Sequence, residues 1–342
     1  MSATSSSPGA APPDARAAAA RDWALAQLGL GAATFAPASA DASFRRYFRL
    51  SAAGQSWIVM DAPPEREDCR PFLQIAGLLA TAGLRVPRCL AQDLARGYLL
   101  LSDLGRHTYL QVLTEDNADA LFEPAIEALI QLQLASRPGV LPPYDEALLR
   151  RELALFPDWY LARERGLTLS GTELAAWRAL EDRLVASALA QPRVWVHRDF
   201  MPRNLMGEAP APGQPVPPPG VLDFQDAVEG PISYDPICLF KDAFRSWPEP
   251  RVEGWLRRYW QQGRAAGLPL PPEFETFQRQ ADWMGVQRHL KVIGIFARIA
   301  HRDGKPAYLA DVARFFSYLR TVSDRYPELA ALQQRLEAWQ GP

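Results

Sequence analysis

Three oxygen-bearing side chains stand where short apolar runs break off: Asp199 and Asn204 in VWVHRDFMPRN (194–204), and Asp223 in GVLDFQD (220–226). A carboxylate placed like Asp199 accepts the proton of an attacking hydroxyl. The amide carbonyl of Asn204 and the carboxylate of Asp223, at the end of an apolar run, are hard oxygen ligands of the kind that suits Mg²⁺. Phosphoryl transfer asks for this set, because the protein's part in it is positioning and charge neutralisation. Each member alone has a plainer reading: H-x-D arises by chance, and an aspartate at a strand end is often a turn former. Together, in the pattern H-x-D-x₄-N followed by L-D-F, they point to chemistry. His197 has Val194 and Val196 as neighbours and reads as a buried structural histidine, since Asp199 fills the role of base.

The elements that position these groups follow from periodicity. From about 32 to 104 the pattern is mainly β: SFRRYFRL (43–50) alternates, and QSWIVMD (55–61) and GYLLLSDL (97–104) are short apolar runs. Between them PFLQIAGLLATAG (71–83) has helical period and ends on Gly83, a C-cap residue. After Gly105 helices are expected over 116–135, 144–165, 170–190, 235–246, 250–266, 273–302, 305–322 and 326–340, interrupted by a β-island of RVWVH (193–197), NLM (204–206) and GVLDF (220–224). The expected class is α+β, with a small β-rich N-lobe (19–104) and a larger helical C-lobe (105–342). Residues 1–18, rich in Ala, Ser and Pro, are expected to be a disordered lead. The tract EAPAPGQPVPPPG (208–220) has six prolines, so it is neither helix nor central strand and reads as a polyproline-like spacer between two hairpin strands.

Composition narrows the partners. The 342 residues are 48% hydrophobic, enough for two lobes. The 37 basic and 39 acidic residues nearly cancel, which gives no bulk attraction to nucleic acid or an anionic membrane. The three cysteines are dispersed and fit neither a metal site nor a disulfide framework, which points to a reducing compartment. The N-terminus lacks the basic region and apolar block of a secretory signal, and no run of residues has the length of a membrane span. The expectation is a cytoplasmic protein acting on a small molecule, with no protein partner implied.

The motifs resemble those of the aminoglycoside and choline phosphotransferases, which have a protein-kinase-like bilobal fold. In that superfamily an H-x-D-x₄-N loop is followed by a strand ending in I/L-D-F/W and a Y-D-hydrophobic helix start. Here these read H-R-D-F-M-P-R-N, V-L-D-F and Y-D-P-I-C-L (234–239), and the resemblance spans roughly 30 to 320. The stretches 194–204 and 220–244, with MDAPPE (60–65) and LLLSDLG (99–105), are similar to a bacterial branch that phosphorylates N-acetylmuramate and N-acetylglucosamine at the anomeric hydroxyl in peptidoglycan recycling. The resemblance implies ATP and Mg²⁺ as cofactors, an amino sugar as substrate and a sugar 1-phosphate as product. It also implies that Leu101 backs the adenine pocket, that the Ser102 carbonyl and Leu104 amide meet the adenine edge, and that Asp235 braces the catalytic loop.

Two departures concern the nucleotide. The superfamily's third strand carries a lysine, whereas WIVMDAPP offers Met60 and Asp61, and no lysine occurs from 1 to 240. ASADASFRR (38–46) lacks the glycines of a phosphate loop. By period two, Phe44, Arg46 and Phe48 share a face, so Arg46 is the candidate phosphate cation, with Ser43 as a hydroxyl donor; a surface role for Arg46 is the alternative.

For the acceptor, only about ten residues separate Asp223 from the next helix, too few for a peptide-docking activation segment. On the helix at 282–302, Arg288, Lys291, Arg298 and Arg302 fall within about 80° of one another, which gives either a solvated basic face or cations that meet an anionic acceptor. Asp226 and Glu229 follow the metal aspartate as candidate partners for sugar hydroxyls, or as turn and cap residues. Trp159 is a candidate sugar-stacking aromatic, or a core residue. A kinase of another small alcohol (choline, homoserine, an aminoglycoside) and a nucleotide-binding module without turnover remain as alternatives to the amino-sugar kinase.

Overall fold

The alanine-rich residues ahead of the first strand form a helix, and its first four residues, 15–18, fall in the stretch expected to be a lead. Asp14 caps α1 (Ala15–Leu28) by accepting the Ala17 N–H at 3.0 Å, and Gly29 ends it at φ 65°. Alanine is the strongest helix former, and Ala20, Trp23 and Ala24 supply a buried stripe. The structure, a computed structural model, describes residues 14–39, 44–210 and 214–341. Ser43 and the remainder of the expected lead lie outside them.

The chain divides into two units, one running up to Ala76 and including Pro87–Leu104, the other made of Gly77–Val86 and everything from Gly105 on. The first carries a five-stranded antiparallel sheet: β1 (Thr34–Ser39), β2 (Arg46–Ala52), β3 (Gln55–Asp61), β4 (Cys89–Asp93) and β5 (Tyr98–Ser102), in the order β1-β2-β3-β5-β4. Leu50, Val59, Tyr98 and Leu100 face α1 and close a core with Ala20, Trp23 and Ala24. Strand alternation puts Arg46, Phe48 and Leu50 together on that face, and Ile58, Met60 and Leu101 on the other. The helix α2 (Arg70–Thr81) runs across the boundary between the units.

The second unit is mostly helical: α3 (Tyr109–Val112), α4 (Ala118–Leu134), α5 (Glu146–Leu153), α6 (Gly171–Leu189), α7 (Tyr234–Phe240), α8 (Glu249–Ala265), α9 (Phe274–Asp303), α10 (Val312–Arg325) and α11 (Ala330–Gln340). The helix expected over 144–165 is α5 followed by a π-helical stretch, Phe156–Glu164. Pro157 lacks an N–H and crowds the preceding turn, which forces the ladder to shift there. α9 crosses this stretch so closely that a Cβ at Gly294 would lie 2.3 Å from the Leu155 carbonyl carbon.

The β-island is two nested pairs. β6 (Arg193–Val196) pairs antiparallel with β9 (Val228–Pro231), a strand the apolar pattern does not reveal. Inside it β7 (Leu205–Met206) pairs with β8 (Gly220–Val221), and the proline tract leaves and returns at Met206↔Gly220. The Val221 N–H also donates to the Arg85 carbonyl at 2.7 Å. No helix among the described residues is long and apolar enough to cross a membrane.

Candidate active site

The H-R-D loop begins where β6 ends, at a backbone that an L-residue adopts reluctantly. Arg198 has φ 76°, in the left-handed region, and Asp223 has φ 62°. Such conformations cost roughly 1–3 kcal/mol each and persist where surrounding contacts enforce them. The contacts at Arg198 are explicit. Asp235, fully buried at the start of α7, accepts the His197 N–H at 2.7 Å on Oδ2 and the Arg198 N–H at 3.0 Å on Oδ1. Burial pushes its carboxyl up to about 7, although both N–H groups favour the anion.

His197 is equally buried, and burial holds its imidazole down at about 4. A neutral ring fits its contact, since Nδ1 accepts the Asp199 N–H at 3.3 Å. The loop then folds back on itself. Met201 N–H donates to the Asp199 carbonyl at 2.9 Å, and Asn204 N–H donates to the Met201 carbonyl at 2.8 Å, which forms a short 3₁₀ turn at Pro202–Asn204. Asn204 Nδ2 donates to the same Asp199 carbonyl at 2.9 Å. Its Oδ1 has no hydrogen-bond partner among the described residues.

The nested hairpin brings the third member in. Leu222 N–H donates to the Asn204 carbonyl at 2.9 Å, one step past the Leu205↔Val221 pair, so Asp223 follows directly beside the loop. Its carboxylate is exposed, and Oδ1 accepts from Gln225 Nε2 at 3.0 Å. Two protein oxygens, one amide and one carboxylate, fit Mg²⁺ bound chiefly through phosphate and water. The described residues contain no group of three or more His, Cys, Asp or Glu that would make an all-protein cage.

Other residues anticipated for the site fall in different places. Asp226 shares the Asp223 turn: its Oδ2 accepts from the same Gln225 Nε2 at 3.3 Å. Glu229 turns away, with Oε2 on the Gly139 N–H at 2.8 Å and Oε1 3.6 Å from Arg193 Nε. Trp159 is half-buried in the π-helical stretch with the Arg163 guanidinium 5.8 Å from its ring centroid.

The basic side of α9 is not one solvated stripe. Lys291 is buried, 2.9 Å from Glu152 Oε1 and 3.0 Å from the Tyr234 hydroxyl. Burial works against its charge, yet Glu152 and Tyr234 hold its pKa above the ordinary value. Arg288 is 2% exposed and lies under the catalytic loop, with Nη2 4.0 Å from Met201 Sδ and Nη1 without a partner among the described residues. Arg298, ten residues further on and so roughly 15 Å along the axis, is half-buried beside Arg302, and burial lowers its pKa. The helix passes through the middle of its unit, so its polar side meets internal acids where amphipathicity alone suggests water.

In the first unit, Arg46 meets Asp61 (Nε–Oδ2 3.1 Å, and a second contact through Nη2) and Asp14. The apolar face it shares with Phe48 is the one α1 covers. Asp61 is fully buried and also takes Arg16 Nε at 2.6 Å. Leu101 is buried between Ile58 and Cys89 in the sheet, and the Ser102 hydroxyl accepts the Arg88 N–H at 2.9 Å. Leu104 ends the unit.

The residue that the motif conceals is Glu152. It is 5% exposed on α5, and Arg198 Nη2, the Tyr144 hydroxyl and Lys291 all converge on it. Its sequence signal is slight: a single acid between Leu149, Leu153 and Phe156 on an otherwise apolar face.

The chain is similar to known proteins in sequence and in fold. A kinase of Pseudomonas aeruginosa named N-acetylmuramate/N-acetylglucosamine kinase is 65% identical over 300 residues, covering 88% of this chain and 87% of its own. A Pseudomonas putida protein of the same name is 59% identical over 91% of this chain and 89% of its own. The fold matches the ADP-bound aminoglycoside phosphotransferase APH(2'')-Ib with a TM-score of 0.58 at 15% identity, covering 87% of this chain and 96% of that one. The sequence profile described as the phosphotransferase enzyme family (APH) matches residues 34–275. With the catalytic loop, the nested hairpin and these relatives in agreement, the chain belongs to the phosphotransferase enzyme family.

Proposed function

We propose that the chain transfers the γ-phosphate of ATP to the anomeric hydroxyl of N-acetylmuramate or N-acetylglucosamine, giving the sugar 1-phosphate, in the cytoplasm and in the service of peptidoglycan recycling. One observation carries the chemistry: Asn204 grips the Asp199 carbonyl while the Leu222 N–H grips Asn204, so a base and two metal-type oxygens share one braced hairpin. The acceptor follows from the names of relatives that are 65% and 59% identical over most of both chains.

In this reading Asp199 accepts the anomeric hydroxyl proton as that oxygen attacks the γ-phosphorus, and the bond to the β,γ-bridging oxygen breaks. Asn204 Oδ1 and Asp223 hold Mg²⁺, which when bound neutralises phosphate charge. Leu101, the Ser102 carbonyl and the Leu104 amide take the adenine. Ser43 is the hydroxyl donor to phosphate. Asp226, beside Asp223, accepts from a sugar hydroxyl, and Arg288, with Nη1 unpaired under the loop, is the cation for a lactyl carboxylate. His197 and Asp235 hold the loop.

The test is a mass-shift assay of N-acetylmuramate, N-acetylglucosamine, choline and kanamycin with ATP and Mg²⁺. Phosphorylation of the two amino sugars and of neither other alcohol is expected. The Asp199→Asn variant should lose transfer by on the order of 10²–10⁴ and keep its affinity for ATP. Turnover of choline or kanamycin alone, or an Asp199→Asn variant within threefold of wild type, would overturn the reading.

A further inference from the structure

The base is preceded by an arginine whose side chain is mostly buried. Arg198 is held at two points. Its N–H is on Asp235 at 3.0 Å, and its guanidinium is on Glu152 through Nη2, with Nη1 3.4 Å from the Asp226 carbonyl. Glu152 is in turn held from several sides: by Lys291 at 2.9 Å, by the Tyr144 hydroxyl, and by Gln287 Nε2 at 3.4 Å. Tyr144 and Glu152 belong to α5 and the segment before it, and Gln287 and Lys291 belong to α9. These contacts on one carboxylate are thus tied to the residue immediately before Asp199.

Two features make this more than packing. Arg198 sits at φ 76°, a conformation an L-residue leaves when its restraints are removed. A change there swings the next residue, and the next residue is the base. The set also holds one anion against two cations, so Glu152 is the group that allows the mostly buried Arg198 and the buried Lys291 to sit side by side. Burial and the two cations act on it in opposite senses, and the cations prevail, which holds its carboxyl below the ordinary range.

We propose that Glu152 is a positioning residue for catalysis: through Arg198 it fixes the backbone that aims Asp199 at the acceptor hydroxyl. It touches neither substrate nor reacting atoms. The chain carries this anion within its own fold, so the loop is set without a covalent modification to neutralise Arg198. The inference rests on the reading of Asp199 as base.

The experiment compares Glu152→Gln with the double variant Glu152→Gln, Lys291→Met. The first leaves two buried cations without their anion and is prone to misfold. The second keeps the net charge of the set and removes the grip on Arg198, together with the Lys291 contact to the Tyr234 hydroxyl. At saturating ATP and sugar, kcat of the double variant should fall about tenfold or more, as expected for a misaimed reacting group. Both KM values should stay within about threefold, and the urea midpoint should stay near wild type. Glu152→Asp should recover part of the loss. A kcat within twofold of wild type, or a fall in kcat matched by an equal rise in both KM values, overturns the proposal. Failure of both variants to fold also overturns it, because Glu152 is then an architectural residue. The wild-type protein is assayed alongside: if it turns over neither sugar, the amino-sugar reading fails, and the comparison runs on ATP hydrolysis, where the same split between kcat and KM is expected.

Discussion

Asn204 divides its side chain between two duties, and this separates the expected effects of changing it and Asp223. Nδ2 is spent on the Asp199 carbonyl, which leaves one neutral oxygen for a metal. Asp223 offers a full charge from an exposed turn. Asp223→Ala should therefore abolish Mg²⁺-dependent nucleotide binding in calorimetry, while Asn204→Ala should weaken it and also lower kcat, because the loop loses a tie. Equal losses of affinity in the two variants would contradict this division. His197 gives a pH prediction. Its pKa is about 4 in the fold against an ordinary 6.5, so the fold favours the neutral ring. The resulting stability is fully present above pH 6.5 and is lost as pH falls through about 4. It amounts to on the order of 3 kcal/mol. Urea unfolding at pH 7 and pH 4.5 should show a steeper loss in wild type than in His197→Asn. Asp235, common to both proteins, shifts in the opposite sense: its raised pKa gives a contribution that is full below pH 3.8 and lost as pH rises through about 7.

At the scale of elements, β2 shows that a strand's face has meaning only with its cover. Period two correctly groups Arg46 with Phe48, but the face belongs to α1. Arg46→Ala should thus act on stability, by about 1–3 kcal/mol as the buried Asp61 loses a partner, and leave the KM for ATP within twofold. A selective rise in the KM for ATP with Arg46→Ala would instead make Arg46 a phosphate cation. The candidate hairpin could be read as a unit because its residues are neighbours in sequence: Asp199, Asn204, Asp223 and Asp235, which accepts the His197 and Arg198 N–H groups, lie between 197 and 235. α1 and the polar side of α9 were not legible. An alanine run has no amphipathic period, and the partner of Lys291 is Glu152, far away in the chain. Periodicity finds a helix's polar side but cannot distinguish water from a buried acid as the neighbour of that side.

Across the whole molecule, one boundary between the two units falls between Leu104 and Gly105. Residues 77–86 depart from the simple division, because they lie before that boundary in sequence but belong to the second unit in space. No local property of GLLATAGLRV announces this; it becomes visible only where the Arg85 carbonyl takes the Val221 N–H at 2.7 Å. The consequence is one of gene architecture. A fragment encoding 105–342 omits that segment, and with it the acceptor for the backbone of the strand leading to Asp223, so it should be inactive and poorly soluble by itself. A fragment encoding 1–104 carries the missing piece. Co-expressed from separate promoters, the two should reassemble and recover phosphotransferase activity, while a 1–76 fragment supplied in its place should rescue nothing. A break at this position therefore suits a split reporter, with activity as the signal that two tethered partners have met.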